Sequence, residues 1–312
     1  MTAPIAMAIH GGAGTIRRTD LTPEREAAIR AGLNAALDAG LVVLQAGGGA
    51  LDAVEAAVIV LEDDPLFNAG RGAVFNDAGL IELEAAIMDG PSRRAGSVTG
   101  ARRVRNPVRL ARRIMEQTPH VTLGFAAADA FAEIQGLALA DADYFFTQTR
   151  WDALQSELAR LRDGGAAEAV SEQVKHGTVG AVALDCQGHL AAATSTGGRT
   201  AKMAGRIGDT PVIGAGTWAD DRVAVSGTGH GEFFIRCAVG HDIAARIRYG
   251  HANLVDACDA VINQEMVKMG GTGGVIAIDH AGHIAMPFNC EGMYRAAVDA
   301  EGKRQIAIYR ET

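Results

Sequence analysis

Two segments of the chain are copies of one pattern. Residues 180–191 read GAVALDCQGHLA and residues 274–285 read GVIAIDHAGHIA. Each is an apolar, β-branched run, a D-x-x-G turn and a second apolar run, the signature of a hairpin. The segments between them, near 231–249 and 253–269, carry helical patterning. Paired hairpins flanked by paired helices predict helices packed on the outside of stacked sheets. Aromatic residues make up only 5% of the 312 residues, while Gly numbers 39. The core must then be built from small and branched aliphatic side chains on closely approaching elements.

The first half has ordinary punctuation. PIAMAI at 4–9 reads as a buried strand running into a loop, HGGAG. Thr22-Pro23 starts a helix, with Pro in the first turn where its missing N–H costs nothing, and the helix runs to about Ala46 before Gly47-Gly48-Gly49. A second helix places Leu51, Val54, Val58 and Leu61 on one face and ends at Pro65. Alternation over 73–88 around Asn76-Asp77-Ala78-Gly79 reads as a hairpin. Asn106-Pro107 opens a helix that ends near Pro119, and another follows to about Gly136. Residues 152–177 then turn polar and contain Gly-Gly, reading as a mobile linker, part of it helical.

Net charge is −8, which argues against nucleic acid or an anionic membrane as a partner. The Arg clusters at Arg102, Arg103, Arg105 and at Arg109, Arg112, Arg113 read as a solvated helical face. Four cysteines, Cys186, Cys237, Cys258 and Cys290, form no CxxC, as expected of reduced thiols in a cytoplasmic protein. The N-terminal MTAPIAMAIHGG has no basic region followed by a long apolar stretch, and no run of 18 uncharged apolar residues occurs. The sequence therefore predicts neither signal peptide nor membrane span.

The repeat also isolates one residue. Thr178 in HGTVG aligns with Thr272 in GGTGG. Only Thr178 follows the polar run. Cutting before it gives pieces of 177 and 135 residues, each with helices and strands; cutting before Thr272 would leave 41. A threonine hydroxyl is a weak nucleophile that needs a base. A free α-amine, with an ordinary pKa of about 7.7–8.0, is partly neutral at physiological pH and can be that base. One residue can carry both functions only if the polypeptide is first cut in front of it.

HGTVGAVALD, TSTGG, RIGD and SGTGHGE, in this order, together with HGGAG and LFNAGRGAVF, make the sequence resemble the plant-type L-asparaginase / isoaspartyl aminopeptidase family of N-terminal-nucleophile hydrolases. The likeness covers nearly the whole length. It implies an α/β (α+β) fold, a four-layer αββα sandwich forming one domain over 1–312. It implies autocatalytic cleavage between Gly177 and Thr178 into an α piece (1–177) and a β piece (178–312), assembled as (αβ)2. It implies hydrolysis of L-asparagine and β-aspartyl (isoaspartyl) dipeptides without a catalytic cofactor.

Carried over by residue, Thr178 resembles the nucleophile and Thr196 its supporting hydroxyl. A strand through 194–196 puts Thr194 and Thr196 on one face and Ser195 on the other. Thr228 and Gly229 resemble the oxyanion hole, in a Gly-rich turn ahead of a helix beginning near Glu232. Arg206 and Asp209 resemble the clamp for an amino-acid substrate, since a carboxylate wants a guanidinium and an ammonium wants a carboxylate. His230 and Gly231 stand beside the substrate, with His230 at a position that varies in the family, and Asn68 resembles a residue near the nucleophile. LEDDPLFNAGRG resembles a loop whose backbone carbonyls, at Leu61, Glu62, Asp64, Phe67, Ala69 and Arg71, hold a structural sodium ion; oxygen-only ligation suits a hard cation.

Three other readings make different predictions. A glycosylasparaginase would go with a lysosomal or secreted context, against which the unpaired cysteines count. An α/β phosphate- or nucleotide-binding protein would use HGGAG and GTGHG as cradles, but no GxxxxGK[ST] is present. A non-catalytic relative has no use for Thr178, Thr196 and Thr228 together. His280 and His283 lie in a D-x-x-G-H turn whose twin has a single His, which argues against a metal pair.

Overall fold

The computed structural model describes residues 4–164 and 177–310. In sequence order the elements are β1 (Ala6–Gly14), α1 (Pro23–Gln45), α2 (Ala50–Asp63), β2 (Leu83–Asp89), β3 (Ala95–Ala101), α3 (Pro107–Gln117), β4 (Thr122–Gly124), α4 (Phe125–Ile134), α5 (Ala142–Phe145) and α6 (Gln148–Arg162). The second half adds β5 (Val179–Leu184), β6 (Leu190–Thr196), β7 (Thr217–Ala219), β8 (Val223–Gly229), α7 (Gly231–Cys237), α8 (Val239–Arg248), α9 (Leu254–Asp259), α10 (Met266–Lys268), β9 (Gly273–Asp279), β10 (Ile284–Ala285), β11 (Gly292–Val298) and β12 (Arg304–Ala307).

The strands form an eight-stranded sheet, β12-β11-β1-β5-β6-β2-β3-β4, and a four-stranded sheet, β10-β9-β8-β7. All pairs are antiparallel except β3 with β4. Helices α1 and α2 cover the outer face of the large sheet, and α8 and α9 that of the small one. The order is helix, sheet, sheet, helix, so the αββα sandwich is borne out. One copy of the repeated hairpin, β5–β6, lies in the large sheet; the other, β9–β10, lies in the small sheet facing it.

Strand periodicity sorts the core into layers. Met7, Ile9, Val179, Ala181 and Ala183 face the α1/α2 layer, while Ala6, Ala8, Val182, Leu184 and Ala192 face the other sheet. Small side chains between the sheets let them approach closely. The D-x-x-G turns show why the pattern recurs. Asp185 Oδ1 accepts from the Gln187 and His189 N–H groups, and Asp279 Oδ1 from those of Ala281 and His283, all at 2.9–3.0 Å. Gly188 and Gly282 take φ of 83° and 87°, where glycine carries no Cβ penalty.

Several expectations change. HGGAG is not a loop but the end of β1, paired to β5 and β11 with a bulge between His10 and Gly12. Residues 152–162 of the expected linker are helical. Thr147 caps α6 through the Arg150 N–H, and Trp151 packs edge-on against Phe75 at 5.3 Å. Residues 165–176 of that linker lie outside the described residues. The hairpin expected over 73–88 reduces to one Phe75–Ile81 bridge, with β2 starting only at Leu83. Arg102, Arg103 and Arg105 are not helical: they fill the connection from β3 to α3 and pair with Glu82, Glu133 and Asp63. The helix expected near 253–269 passes through a π-helical turn at Ala260–Glu265.

Among the described residues one helix, α1, is long and apolar enough by length and composition to cross a membrane. Its apolar stripe, Ile29, Leu33, Leu37, Leu41 and Leu44, is buried against the large sheet. The four cysteines are free thiols. His283 pairs with Asp279 at 2.8 Å, and among the described residues no group of three His, Cys, Asp or Glu side chains could hold a metal ion.

Candidate active site

Thr178 stands immediately before β5, on the strand face that looks into the layer between the sheets. Its hydroxyl donates to Thr196 Oγ1 at 3.2 Å, and Thr196 Oγ1 also accepts the Gly198 N–H at 2.9 Å. Thr194 and Thr196 point into this layer, whereas Ser195 turns outward and donates to Glu62 on α2 at 2.6 Å. Burial raises the Glu62 carboxyl to about 8. The twin Thr272 reaches the rim of the same cavity, but it is exposed, and its carbonyl accepts the His230 N–H at 2.9 Å. The hairpin alone therefore does not make a buried hydroxyl pair.

Gly177 crosses over Thr228. A Cβ on Gly177 would lie 2.6 Å from Thr228 Oγ1 and 3.1 Å from the Ala13 nitrogen. Gly12, at φ 116°, has the same constraint from the other side: its Cβ would fall 2.7 Å from both the nitrogen and the carbonyl oxygen of Gly177. Thr228 is fully buried and accepts the Ala13 N–H at 3.1 Å, which leaves its own hydrogen to donate. Only glycine backbone can be threaded here between β1 and β8.

The cavity beside Thr178 is lined by Thr196, Arg199, Arg206, Asp209, Gly229, His230, Gly231 and Glu232, among others. Arg206 donates from Nε to Glu232 at 3.0 Å. Asp209 is buried, and its Oδ2 has no hydrogen-bond partner. Burial raises the Asp209 carboxyl to about 7, opposed by the Arg206 charge. A Cβ on Gly231 would come within 2.7 Å of Asp209 Oδ1 and 2.8 Å of an Arg206 terminal nitrogen, so the absent side chain is what opens the clamp. A buried carboxylate beside an arginine, with Oδ1 toward Gly231 on the cavity wall, is matched by a ligand carrying an ammonium and a carboxylate.

A family model described as asparaginase matches residues 3–308. The chain belongs to this asparaginase family. It is 47% identical to the isoaspartyl peptidase of Escherichia coli K12 over 98% of its own length and 96% of that protein. It is 42% identical to the isoaspartyl peptidase/L-asparaginase of Xenopus laevis, over 96% and 94% of the two proteins. It is 40% identical to the mouse protein of the same name, over 97% and 90%.

Within this asparaginase fold most of the residues singled out from sequence converge. Gly177, Thr178, Thr196, Arg206, Asp209, Gly229, His230 and Gly231 share one cavity, with Thr228 beneath Gly177. Asn68 does not line it. Asn68 instead donates to the Gly198 carbonyl at 2.7 Å and accepts the Val74 N–H at 3.0 Å, holding the turn after Thr196.

Sequence reasoning missed a relay behind the nucleophile. His10 Nδ1 donates to the Thr178 carbonyl at 2.9 Å, which leaves Nε2 to accept from Ser226 Oγ at 2.9 Å. Ser226 Oγ is 2.7 Å from Thr194 Oγ1, which accepts from Thr217 Oγ1 at 2.7 Å. The Gly216 carbonyl, 3.3 Å from Thr194 Oγ1, and the Thr210 carbonyl, 3.2 Å from Thr217 Oγ1, are further acceptors along this network. Burial lowers the His10 pKa to about 3, keeping the ring neutral, as the tautomer requires. The signal was a histidine continuing the inward face of Ala6 and Ala8. Glu84 was missed as well. It is buried on β2 and accepts the Gly208 N–H with both oxygens at 3.1 Å, fixing the loop between Arg206 and Asp209.

The segment 61–72 leaves α2 with its last carbonyls unpaired within the helix, and a helix C-terminus favours a cation. Side chains at Gly70 and Gly72 would collide with the carbonyls of Glu62 and Phe67, so the glycines let backbone carbonyls crowd together here. Buried Arg150 already donates to the Gly72 carbonyl at 2.8 Å. The donor set suits a monovalent hard cation.

Proposed function

We propose that this protein hydrolyses L-asparagine to L-aspartate and ammonia, and β-aspartyl dipeptides to aspartate and an amino acid, after cutting itself between Gly177 and Thr178. The observation that carries the reading is the Thr178 hydroxyl, bonded to Thr196 and opening onto a cavity that Arg206 and Asp209 also line. The activities of the related proteins support it.

In the uncut polypeptide Thr178 Oγ1 attacks the Gly177 carbonyl, the peptide C–N bond breaks, and water hydrolyses the resulting ester. Departure of Gly177 opens Thr228 to the cavity. In the mature enzyme the neutral Thr178 amine takes the hydroxyl proton, and Oγ1 attacks the side-chain carbonyl of the substrate. The Thr228 hydroxyl and Gly229 N–H hold the oxyanion. As the substrate's amide bond breaks, the proton passes to the leaving nitrogen, and ammonia or an amino acid departs. Water then hydrolyses the β-aspartyl ester and restores the hydroxyl. Asp209 binds the α-ammonium and Arg206 the α-carboxylate, with His230 and Gly231 alongside. Thr196 orients the nucleophile, and the relay through His10 fixes its carbonyl. Every step uses groups of the protein itself, so catalysis needs no cofactor.

A sodium ion on the carbonyls of Leu61, Glu62, Asp64, Phe67, Ala69 and Arg71 would tie the end of α2 to the loop that Asn68 anchors. The mature pieces assemble as (αβ)2 in the cytoplasm, where the four thiols stay reduced, with neither nucleic acid nor membrane as partner.

The test is a denaturing gel with N-terminal sequencing. The purified protein resolves into two fragments, the smaller beginning TVGAV, and releases ammonia from asparagine. Thr178→Ala stays a single inactive polypeptide; maturation of that variant to the same fragments would overturn the assignment.

A further inference from the structure

The cavity holds two guanidinium groups, and the clamp accounts for one. Arg206 belongs with Asp209 and Gly231, which crowd within a few ångströms of one another. Arg199 enters the cavity from a different segment. It sits on the turn after Thr196, next to Gly198, whose N–H and carbonyl are held by Thr196 and Asn68. It is half-buried, lines the same cavity as Thr178, and lies in the field of Glu232, which it shares with Arg206, of Arg206 itself, and of Glu157 on α6. The turn is thus pinned at Gly198, and its next side chain stands beside the nucleophile's partner.

Nucleophilic attack divides the substrate into a held part and a leaving part. Both substrates present the same held part to the clamp: an α-ammonium and an α-carboxylate. The leaving parts differ. Asparagine releases ammonia, which needs no pocket. A β-aspartyl dipeptide releases an α-amino acid whose carboxylate is a second negative charge beyond the scissile bond. That charge needs a donor fork, and guanidinium geometry matches carboxylate two-pronged.

We propose that Arg199 receives the carboxylate of the leaving amino acid, so that the site selects β-aspartyl dipeptides with a free C-terminus over asparagine. This rests on the hydrolase reading above and adds the substrate class to it. A substrate with two carboxylates meets two arginines, and a substrate with one uses only Arg206.

The test compares substrates as well as variants. In the mature full-length enzyme, Arg199→Gln lowers the ratio of kcat/KM for β-aspartyl-leucine to that for asparagine by about tenfold or more, the worth of a charge-assisted hydrogen bond. Arg199→Lys restores part of the ratio. With the wild type, β-aspartyl-leucine amide, which lacks the terminal carboxylate, loses a similar factor against the acid. Arg199→Gln then adds little further loss on the amide, because both changes remove the same contact. An unchanged ratio in Arg199→Gln, or equal wild-type turnover of the acid and the amide, overturns the proposal while leaving the hydrolase reading intact. A wild-type enzyme that is cut before Thr178 yet hydrolyses neither substrate would instead remove the hydrolase reading, and this inference with it.

Discussion

Replacing Gly177 with Ala tests whether the crossing of Gly177 over Thr228 is the arrangement that cuts the polypeptide. The new Cβ would lie 2.6 Å from Thr228 Oγ1, against 3.4 Å or more for an ordinary contact. The same Cβ would also meet the Ala13 nitrogen at 3.1 Å and the Ala13 carbonyl oxygen at 3.2 Å, so the overlap is with fixed backbone as well as with Thr228. Thr228 has to rotate to make room, which breaks its 3.1 Å bond from the Ala13 N–H and displaces its hydroxyl. A buried N–H left unmet costs about 1–3 kcal/mol. Loss of one oxyanion donor slows acyl chemistry by about 10²–10³. Maturation of Gly177→Ala therefore slows by at least about a hundredfold, read as the appearance of the TVGAV fragment on timed denaturing gels of freshly made precursor. The fraction that does mature keeps wild-type kcat per TVGAV end, because residue 177 is no longer joined to Thr178. Cutting at the wild-type rate would refute the geometric argument. A loss of kcat in the matured fraction would place the damage in the fold rather than in the cleavage step.

Thr228→Val removes the oxyanion hydroxyl at nearly constant volume. It should keep most substrate binding in any matured fraction and lose about 10²–10³ in kcat, as read by steady-state kinetics; a loss confined to KM would take Thr228 out of the oxyanion hole. Asp209 must be ionised to hold an α-ammonium, and burial puts its pKa at about 7. In the free enzyme kcat/KM should then rise with pH in two steps, one near 7 from Asp209 and one from the Thr178 amine, and Asp209→Asn should keep only the second; two steps persisting in Asp209→Asn would count against the clamp. The same shift acts on stability. Between about pH 4 and 7 the folded state holds a proton that the unfolded state has released, so the stability due to Asp209 is full below pH 4 and lost as pH rises to 7. Thermal melts of Asp209→Asn should lack that decline.

The sequence alone determined the features encoded locally. The D-x-x-G hairpins, the start of α1 at Thr22-Pro23 and the inward pairing of Thr194 with Thr196 follow from turn chemistry and from the periods of strand and helix. The ordered motifs pointed to Gly177, Thr178, Thr196, Arg206 and Asp209, which the fold gathers around one cavity. Tertiary structure decided what local pattern cannot carry. HGGAG looks like a loop because glycine breaks strand propensity, yet β5 and β11 on either side supply the hydrogen bonds that make it strand. The polar stretch after Gln148 became helix because Arg150 and Leu154 are buried against the rest of the molecule and half-buried Trp151 packs on Phe75. The relay from Thr217 to Thr178 draws on β7, β6, β8 and β1, and His10 and Ser226 meet across 216 positions of sequence. A buried polar group must find its partner wherever the packed sheets place one, and such partners have no fixed spacing along the sequence.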